Sequence, residues 1–268
     1  MGKPPVIELR QVSLAFDEKQ VLSRISFQVD QGETLFLLGV TGTGKSLLLK
    51  LILGLIKPDS GQVLVEGQDL TPLMEDELDH YRRRMGIVFQ EGALFDSLSV
   101  YENVAYRLRE EGVIEEEEIE RKVRDVLRIV EMESAIDKMP SELSGGMRRR
   151  VSIARAIVSG PAIMLYDSPT AGLDPVTGHA IVMHIAQLRD IQGVTSLVVT
   201  HRLQDAYVLT NYVFSERKQT LLPVAGMQHG GPMPLIRFLL LREHVVYFFG
   251  TPEELAGTHD PYLLKYLS

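Results

Sequence analysis

Apolar and polar positions alternate along residues 6–14 and 25–29, the pattern of strands with one exposed face. Residues 34–38 form instead a nearly continuous apolar run, which predicts a strand buried on both faces. Further short runs at 85–89, 162–166 and 196–200 are rich in apolar and β-branched residues. The stretches between them are long enough for helices, the layout of a parallel α/β sheet. Ile119, Val123, Val126, Leu127 and Val130 recur at helical spacing and predict an amphipathic helix over 115–133. Its acidic start, residues 115–118, lies at the positive end of the helix dipole and reads as a solvated helix start. Apolar helices are predicted at 47–55 and at 147–158, the latter with Met147, Val151, Ala154 and Val158 on one stripe. Residues 245–249 read as a strand, and Thr251-Pro-Glu-Glu254 as a capping box with proline at the first helical position.

No internal repeat or low-complexity linker divides the 268 residues, which suffice for one large domain or a domain with an inserted lobe. A formal net charge of −8 argues against an extended phosphate-tracking surface, so a nucleic-acid partner is not expected. The absence of cysteine removes disulfides and thiolate metal sites and suits a reducing cytoplasm. Residues 1–10 have neither the apolar core nor the cleavage motif of a signal peptide. The most apolar tract, 235–250, is too short to span a bilayer and is broken by Arg237, Arg242, Glu243 and His244. If a membrane is involved, a partner must supply the spanning helices.

Gly39, Val40, Thr41, Gly42, Thr43, Gly44, Lys45 and Ser46 match G-x-x-x-x-G-K-[ST] between a buried strand and an apolar helix, the context that motif requires. Such a loop wraps a phosphate in main-chain N–H groups at a helix start. Lys45 then reaches the β- and γ-phosphates and the Ser46 hydroxyl ligates magnesium. The run Ile163-Met-Leu-Tyr-Asp167 ends a buried strand in a carboxylate, where a magnesium-associated acid faces the nucleotide. Alone, an aspartate there is equally a turn or cap, given Pro169 and Gly172; its pairing with the phosphate loop favours function. Ser144, Gly145 and Gly146 open a second helix, either as an ordinary N-cap or as a second phosphate-holding helix start.

In order and spacing these elements resemble the ABC-transporter ATPases over nearly the whole chain. The resemblance implies an α/β P-loop NTPase fold: a RecA-like core with a parallel sheet, an antiparallel β subdomain and an inserted α-helical subdomain. It places a core lobe at 1–92 and 160–250, the helical subdomain at 93–159 and a C-terminal helical tail at 251–268. It implies ATP and Mg2+ as cofactors, nucleotide contacts from Gly39 through Leu47, adenine stacking by Phe16, and metal contacts from Ser46, Gln90 and Asp167. Gln90 resembles the glutamine that links magnesium and the lytic water to the membrane subunit. His201 resembles the switch histidine at the γ-phosphate, and 171–174, ending in Asp174, the loop that crosses the dimer. Two copies then pack head to tail, with Ser144 to Gly146 of one closing over the nucleotide held by Lys45 of the other. Taken singly, Phe16 reads as core, Gln90 as a strand-end amide and His201 as a satisfied polar residue; order and spacing favour the functional roles.

Residues 86–104, Met147 at the usual signature glutamine, the run Arg148 to Arg150 and residues 260–267 resemble more narrowly the Mla/Mce lipid-transport ATPases. That resemblance implies a subunit on the cytoplasmic face of the inner membrane. Its partners would be a second ATPase subunit, an integral membrane permease of the MlaE type and, indirectly, an MCE-type lipid-binding protein. By physics alone the arginine run also reads as the solvated face of a helix.

Two features depart from the pattern. ABC ATPases usually carry a glutamate after the magnesium-associated aspartate as general base; here Ser168 stands there, and a serine hydroxyl is a poor base near neutral pH. General-base catalysis is typically worth about 10² to 10⁴ in rate, so hydrolysis should be slow. Two outcomes stay open: a slow ATPase with His201 or Gln90 orienting water, or a degenerate or regulatory subunit. The second departure is 215–241, longer than the expected short hairpin, read as an extended hairpin or a partner-binding insertion. A soluble ABC ATPase of DNA repair or translation is disfavoured, because the chain has no coiled coil, zinc module or tandem cassette.

Overall fold

The computed structural model describes residues 4–90, 92–112, 115–224 and 234–267. The chain opens with β1 (Ile7–Phe16), β2 (Lys19–Val29), β3 (Thr34–Leu38), helix α1 (Lys45–Ile52), β4 (Ser60–Val65) and β5 (Gln68–Asp69). Helix α2 (Glu75–Arg82) and β6 (Met85–Val88) lead into α3 (Val100–Glu111), α4 (Glu116–Ile129) and α5 (Gly145–Ile157). Then follow β7 (Ile163–Asp167), α6 (Pro175–Gln192), β8 (Thr195–Val199), α7 (Leu203–Asn211), β9 (Tyr212–Ser215) and β10 (Thr220–Pro223). Strands β11 (Ile236–Arg242) and β12 (Val245–Gly250) and helices α8 (Pro252–Ala256) and α9 (Pro261–Leu267) complete the described chain.

The central sheet runs β12-β11-β3-β8-β7-β6, parallel throughout except for the antiparallel edge strand β12. The apolar run of β3 explains its place in the middle: all five of its residues are buried. Successive side chains of a strand point to opposite faces. Leu35 and Leu37 accordingly join one core, against α1 and the antiparallel sheet, while Phe36 and Leu38 join the other, against the helices. Burying each such side chain is worth about 1.5–3 kcal/mol, which makes a polar substitution here far costlier than on a half-exposed strand. The second sheet, β2-β1-β4-β5, is antiparallel with the alternating burial read from its sequence. The architecture is the α/β class expected, with a parallel core sheet, an antiparallel sheet and a layer of helices. Among the described residues no helix is long and apolar enough to cross a membrane.

Local deviations have local causes. Helix α1 begins two residues before the predicted span, because Gly44 already serves as its N-cap and Lys45 and Ser46 are helical. Helix α4 ends at Ile129 rather than running to 133: Glu131 adopts a left-handed φ of 57°, which ends a helix, and a short 3-10 turn follows at Glu133–Ala135. The 215–241 segment begins with the β9/β10 hairpin, in which Ser215 pairs with Thr220, and ends in β11, which lies parallel to β3. Gly226, Gly230 and Gly231 fall outside the described residues. Phe238 of β11 stacks on Phe36 of β3, ring centroids 5.2 Å apart and both rings buried. Phe238→Ala should therefore cost about 3–5 kcal/mol of stability, measured as a lower urea midpoint at an unchanged slope; a loss typical of a surface site would contradict a core role for β11.

Candidate nucleotide-binding site

Because β3, β6, β7 and β8 run parallel, their C-terminal ends lie along one sheet edge, where ligands bind in such folds. The loop 39–44 leaves β3 there, Gln90 follows β6, Asp167 ends β7 and His201 follows β8. A cleft of about 300 Å³ gathers Thr41, Gly42, Gly44, Lys45, Ser46 and Leu47 with Gln90, Asp167, Ser168 and His201.

The loop is shaped for a backbone that approaches its ligand closely. At Gly39, φ is 143° and a Cβ would lie 2.7 Å from the Leu241 carbonyl oxygen; at Gly44, φ is 95° and a Cβ would lie 2.7 Å from Leu22 Cδ2. Neither position admits a side chain. The Thr43 hydroxyl donates to the Val40 carbonyl at 2.9 Å and closes the loop on itself. Lys45 Nζ donates to the carbonyls of Gly39 and Val40, each at 2.8 Å, so the ammonium is held over the loop. Burial lowers the Lys45 pKa, and the charge of Asp167 opposes that shift. Gly44 brings no side-chain acceptor to the start of α1, and the first turn carries no acidic residue. The N–H groups and positive dipole end of α1 are thus left for an anion. The Ser46 hydroxyl, Asp167 carboxylate and Gln90 amide in the same cleft are oxygen donors of the kind a small divalent cation takes.

Ser168 is buried, with its Oγ 3.5 Å from Asp167 Oδ1 and its N–H donating to the Val199 carbonyl at 2.9 Å. Its φ of 50° is left-handed, a conformation that costs a non-glycine residue about 1–3 kcal/mol unless its surroundings enforce it. The arginine run supplies part of that enforcement. Arg149 is buried and bonds the loop at 168–171, whereas Arg148 donates to the Leu143 carbonyl at 2.7 Å and Arg150 to the Glu131 carboxylate at 3.0 Å. A uniformly solvated face is therefore not what this run forms.

The other residues singled out from the sequence lie outside the cleft. Ser144 caps α5 by accepting from the Met147 N–H at 3.2 Å, and Ser144 and Gly145 are exposed. Asp174 caps α6, accepting through Oδ1 from the N–H groups of Val176 and Thr177, both at 3.0 Å. These bonds with Thr177 and Val176 lower its pKa. Phe16 is half-exposed at the end of β1 and does not line the cleft.

The family model described as ABC transporter matches residues 22–171. The chain belongs to the ABC transporter family. As a member it is an ATP-binding ATPase. It is 36% identical over 209 residues to the Haemophilus influenzae intermembrane phospholipid transport system ATP-binding protein MlaF, covering 78% of this chain and 79% of that one. Its identity to MlaF of Escherichia coli K12 is 34% over 237 residues, 88% of each chain. A solved dimeric ATP-binding cassette in a post-hydrolysis state bound to ADP and Pi superposes with a TM-score of 0.77 at 29% identity, over 91% of this chain and 98% of that one.

In this ABC cassette, residues that carry no sequence motif also reach the cleft or its loop. Val21 and Val199 line the cleft. Tyr266 of α9 accepts a hydrogen bond from the Gly39 N–H at 2.9 Å, tying the C-terminal tail to the first residue of the phosphate loop. Arg242 stacks over Tyr247 and Tyr262, whose ring lies beside Tyr266, and this aromatic ladder fixes the tail. The i,i+4 pair Tyr262 and Tyr266 was the available signal. Tyr266→Phe keeps the ring and removes the acceptor. A hydrogen bond worth about 1 kcal/mol in the folded chain predicts a melting temperature lower by about 2–4 °C, and an unchanged melting temperature would contradict this tie between tail and loop.

Proposed function

We propose that this chain is the ATP-hydrolysing subunit of a phospholipid transporter, seated peripherally on the cytoplasmic face of the inner membrane. One observation carries the catalytic part: the phosphate loop, Asp167, Gln90 and His201 share one cleft, while the α5 start that completes such sites in the family faces outward. Two copies packed head to tail would unite the two halves. The first turn of α5 carries no acidic residue, so its positive dipole end can meet a phosphate. Val176, beside the Asp174 cap, is 79% exposed and offers apolar surface to a second copy. The phospholipid substrate, a membrane permease of the MlaE type and an MCE-type lipid carrier follow from the likeness to MlaF over most of the chain. In this reading residues 1–92 and 160–250 form the core lobe, 93–159 the helical lobe that presents Ser144 to Gly146, and 251–268 the tail.

Within the site, Lys45 and the α1 amides would hold the β- and γ-phosphates, and Ser46, Asp167 and Gln90 would hold Mg2+, which when bound neutralises charge between those phosphates. Phe16 would stack on adenine and Asp174 would help to carry the dimer-crossing loop. His201 and Gln90 orient the water, and Ser168 supplies no base of useful strength. Positioning and charge stabilisation need no base, so nucleotide binding is preserved while turnover is slow. Phosphate release from the chain co-purified with its permease tests this. Lys45→Ala should abolish release, and Ser168→Glu should raise it about 10²-fold. ATP binding without Lys45-dependent release would make the chain a regulatory subunit instead.

A further inference from the structure

The loop 168–171, which follows Asp167, is gripped from two sides. From α5, Arg149 Nη1 donates to the carbonyls of Ser168 at 3.1 Å, Pro169 at 2.9 Å and Ala171 at 3.1 Å. From the other side, Arg202 Nη1 donates to the Thr170 carbonyl at 3.0 Å, and the Thr170 hydroxyl donates to the buried carboxylate of Asp205. All four carbonyls of the loop are thus bound by arginine.

The two grips are anchored differently. Arg202 follows His201 directly and belongs to the same sheet edge as the cleft. Arg149 lies on α5, five residues after Ser144 and so roughly 7 Å along the helix from its exposed start. That start is also locked to α6: a Cβ on Gly146 would lie 2.7 Å from Thr177 Cγ2, and Thr177 is bonded to the Asp174 cap. The start of α5, the 168–171 loop and the start of α6 therefore form one packed assembly. A close-packed contact passes a displacement on rather than absorbing it.

We propose that Arg149 is a positioning residue: it transmits engagement of the α5 start by the second copy's nucleotide to Ser168 in this chain's own cleft. The inference rests on the composite-site reading given above. Its chemistry follows from the guanidinium, which stays charged and is planar and rigid, so one terminal nitrogen, Nη1, is held in a fixed place among three carbonyls of one turn. Ser168, in a left-handed conformation that its surroundings must enforce, is the residue most exposed to loss of that hold. A lysine would restore the charge and a donor nitrogen, but on a flexible stem without the planar group that fixes where that nitrogen sits.

The test compares phosphate release from the full-length chain in its transporter complex for wild type, Arg149→Met, Arg149→Lys, Ser168→Glu and the double variant Ser168→Glu with Arg149→Met. Arg149→Met should lower kcat about tenfold with KM for ATP changed less than about twofold, and Arg149→Lys should recover part of the loss, as expected for coupled neighbours. The sigmoid dependence on ATP of two linked sites should flatten in Arg149→Met, and the acceleration given by Ser168→Glu should shrink in the double variant. A fluorescent ATP analogue that binds Arg149→Met as it binds wild type shows that the variant is folded. Unchanged kcat and a retained sigmoid would overturn the proposal. So would a fall in kcat, affinity and melting temperature together that lysine reverses in proportion, because that pattern marks support of the fold alone. If Ser168→Glu speeds both backgrounds equally, Arg149 is not coupled to the loop, while the hydrolysis reading stands. If Lys45→Ala still releases phosphate, the site itself is misassigned and the proposal falls with it.

Discussion

At the end of β3 the chain must pass from a strand buried on both faces to a helix start that offers its N–H groups to an anion, within the six residues 39–44. Apolar burial fixes the strand and therefore fixes where the turn begins. The turn must then run so close to β11 that Gly39 has no room for a side chain beside the Leu241 carbonyl. Lys45, the first residue of α1, donates back to the carbonyls of Gly39 and Val40, so the loop is braced by its own chain. Even the Gly39 N–H has a partner, the Tyr266 hydroxyl delivered from the far end of the chain. The electrostatic part of binding is consequently preorganised, at a helix start where little rearrangement is needed to accept negative charge.

The rest of the sheet edge follows from parallel pairing. Asp167, Val199 and Leu37 stand side by side in register, so a carboxylate, the turn that carries His201 and the phosphate loop emerge together without any one segment having to encode the site. The residue directly after Asp167 is Ser168 and not a carboxylate. Ser168 stands there in a left-handed backbone conformation that the surrounding contacts enforce, and on the proposed reading the site binds and positions nucleotide while proton removal is weak. On that reading the balance would favour the closed, nucleotide-bound state over rapid turnover.

The parts of this arrangement that were legible in the sequence are those whose causes are local. A strand buried on both faces has to be a continuous apolar run, and a phosphate loop has to place glycine where φ is positive, so β3, β7, β8 and residues 39–46 could be read directly. Strand β11 could not, because its burial depends on lying against β3 some 200 residues away, and its flanking Arg237 and Arg242 gave it the look of an interrupted tract. Arg149 was hidden for a related reason: in sequence, a guanidinium enclosed by loop carbonyls is indistinguishable from a solvated one. Phe16, Ser144, Gly145, Gly146 and Asp174 were read through family resemblance, and none of them lines the cleft around the phosphate loop.

The central claim is that nucleotide, held by one copy and closed over by another, joins two of these chains, and that weak hydrolysis leaves them joined. Light scattering on the purified chain, with and without MgATP, measures this most directly. The account predicts the mass of one chain without nucleotide and twice that mass with MgATP, persisting in the unmodified Ser168 protein and absent in Lys45→Ala. A single-chain mass at saturating MgATP, with nucleotide demonstrably bound, would contradict it.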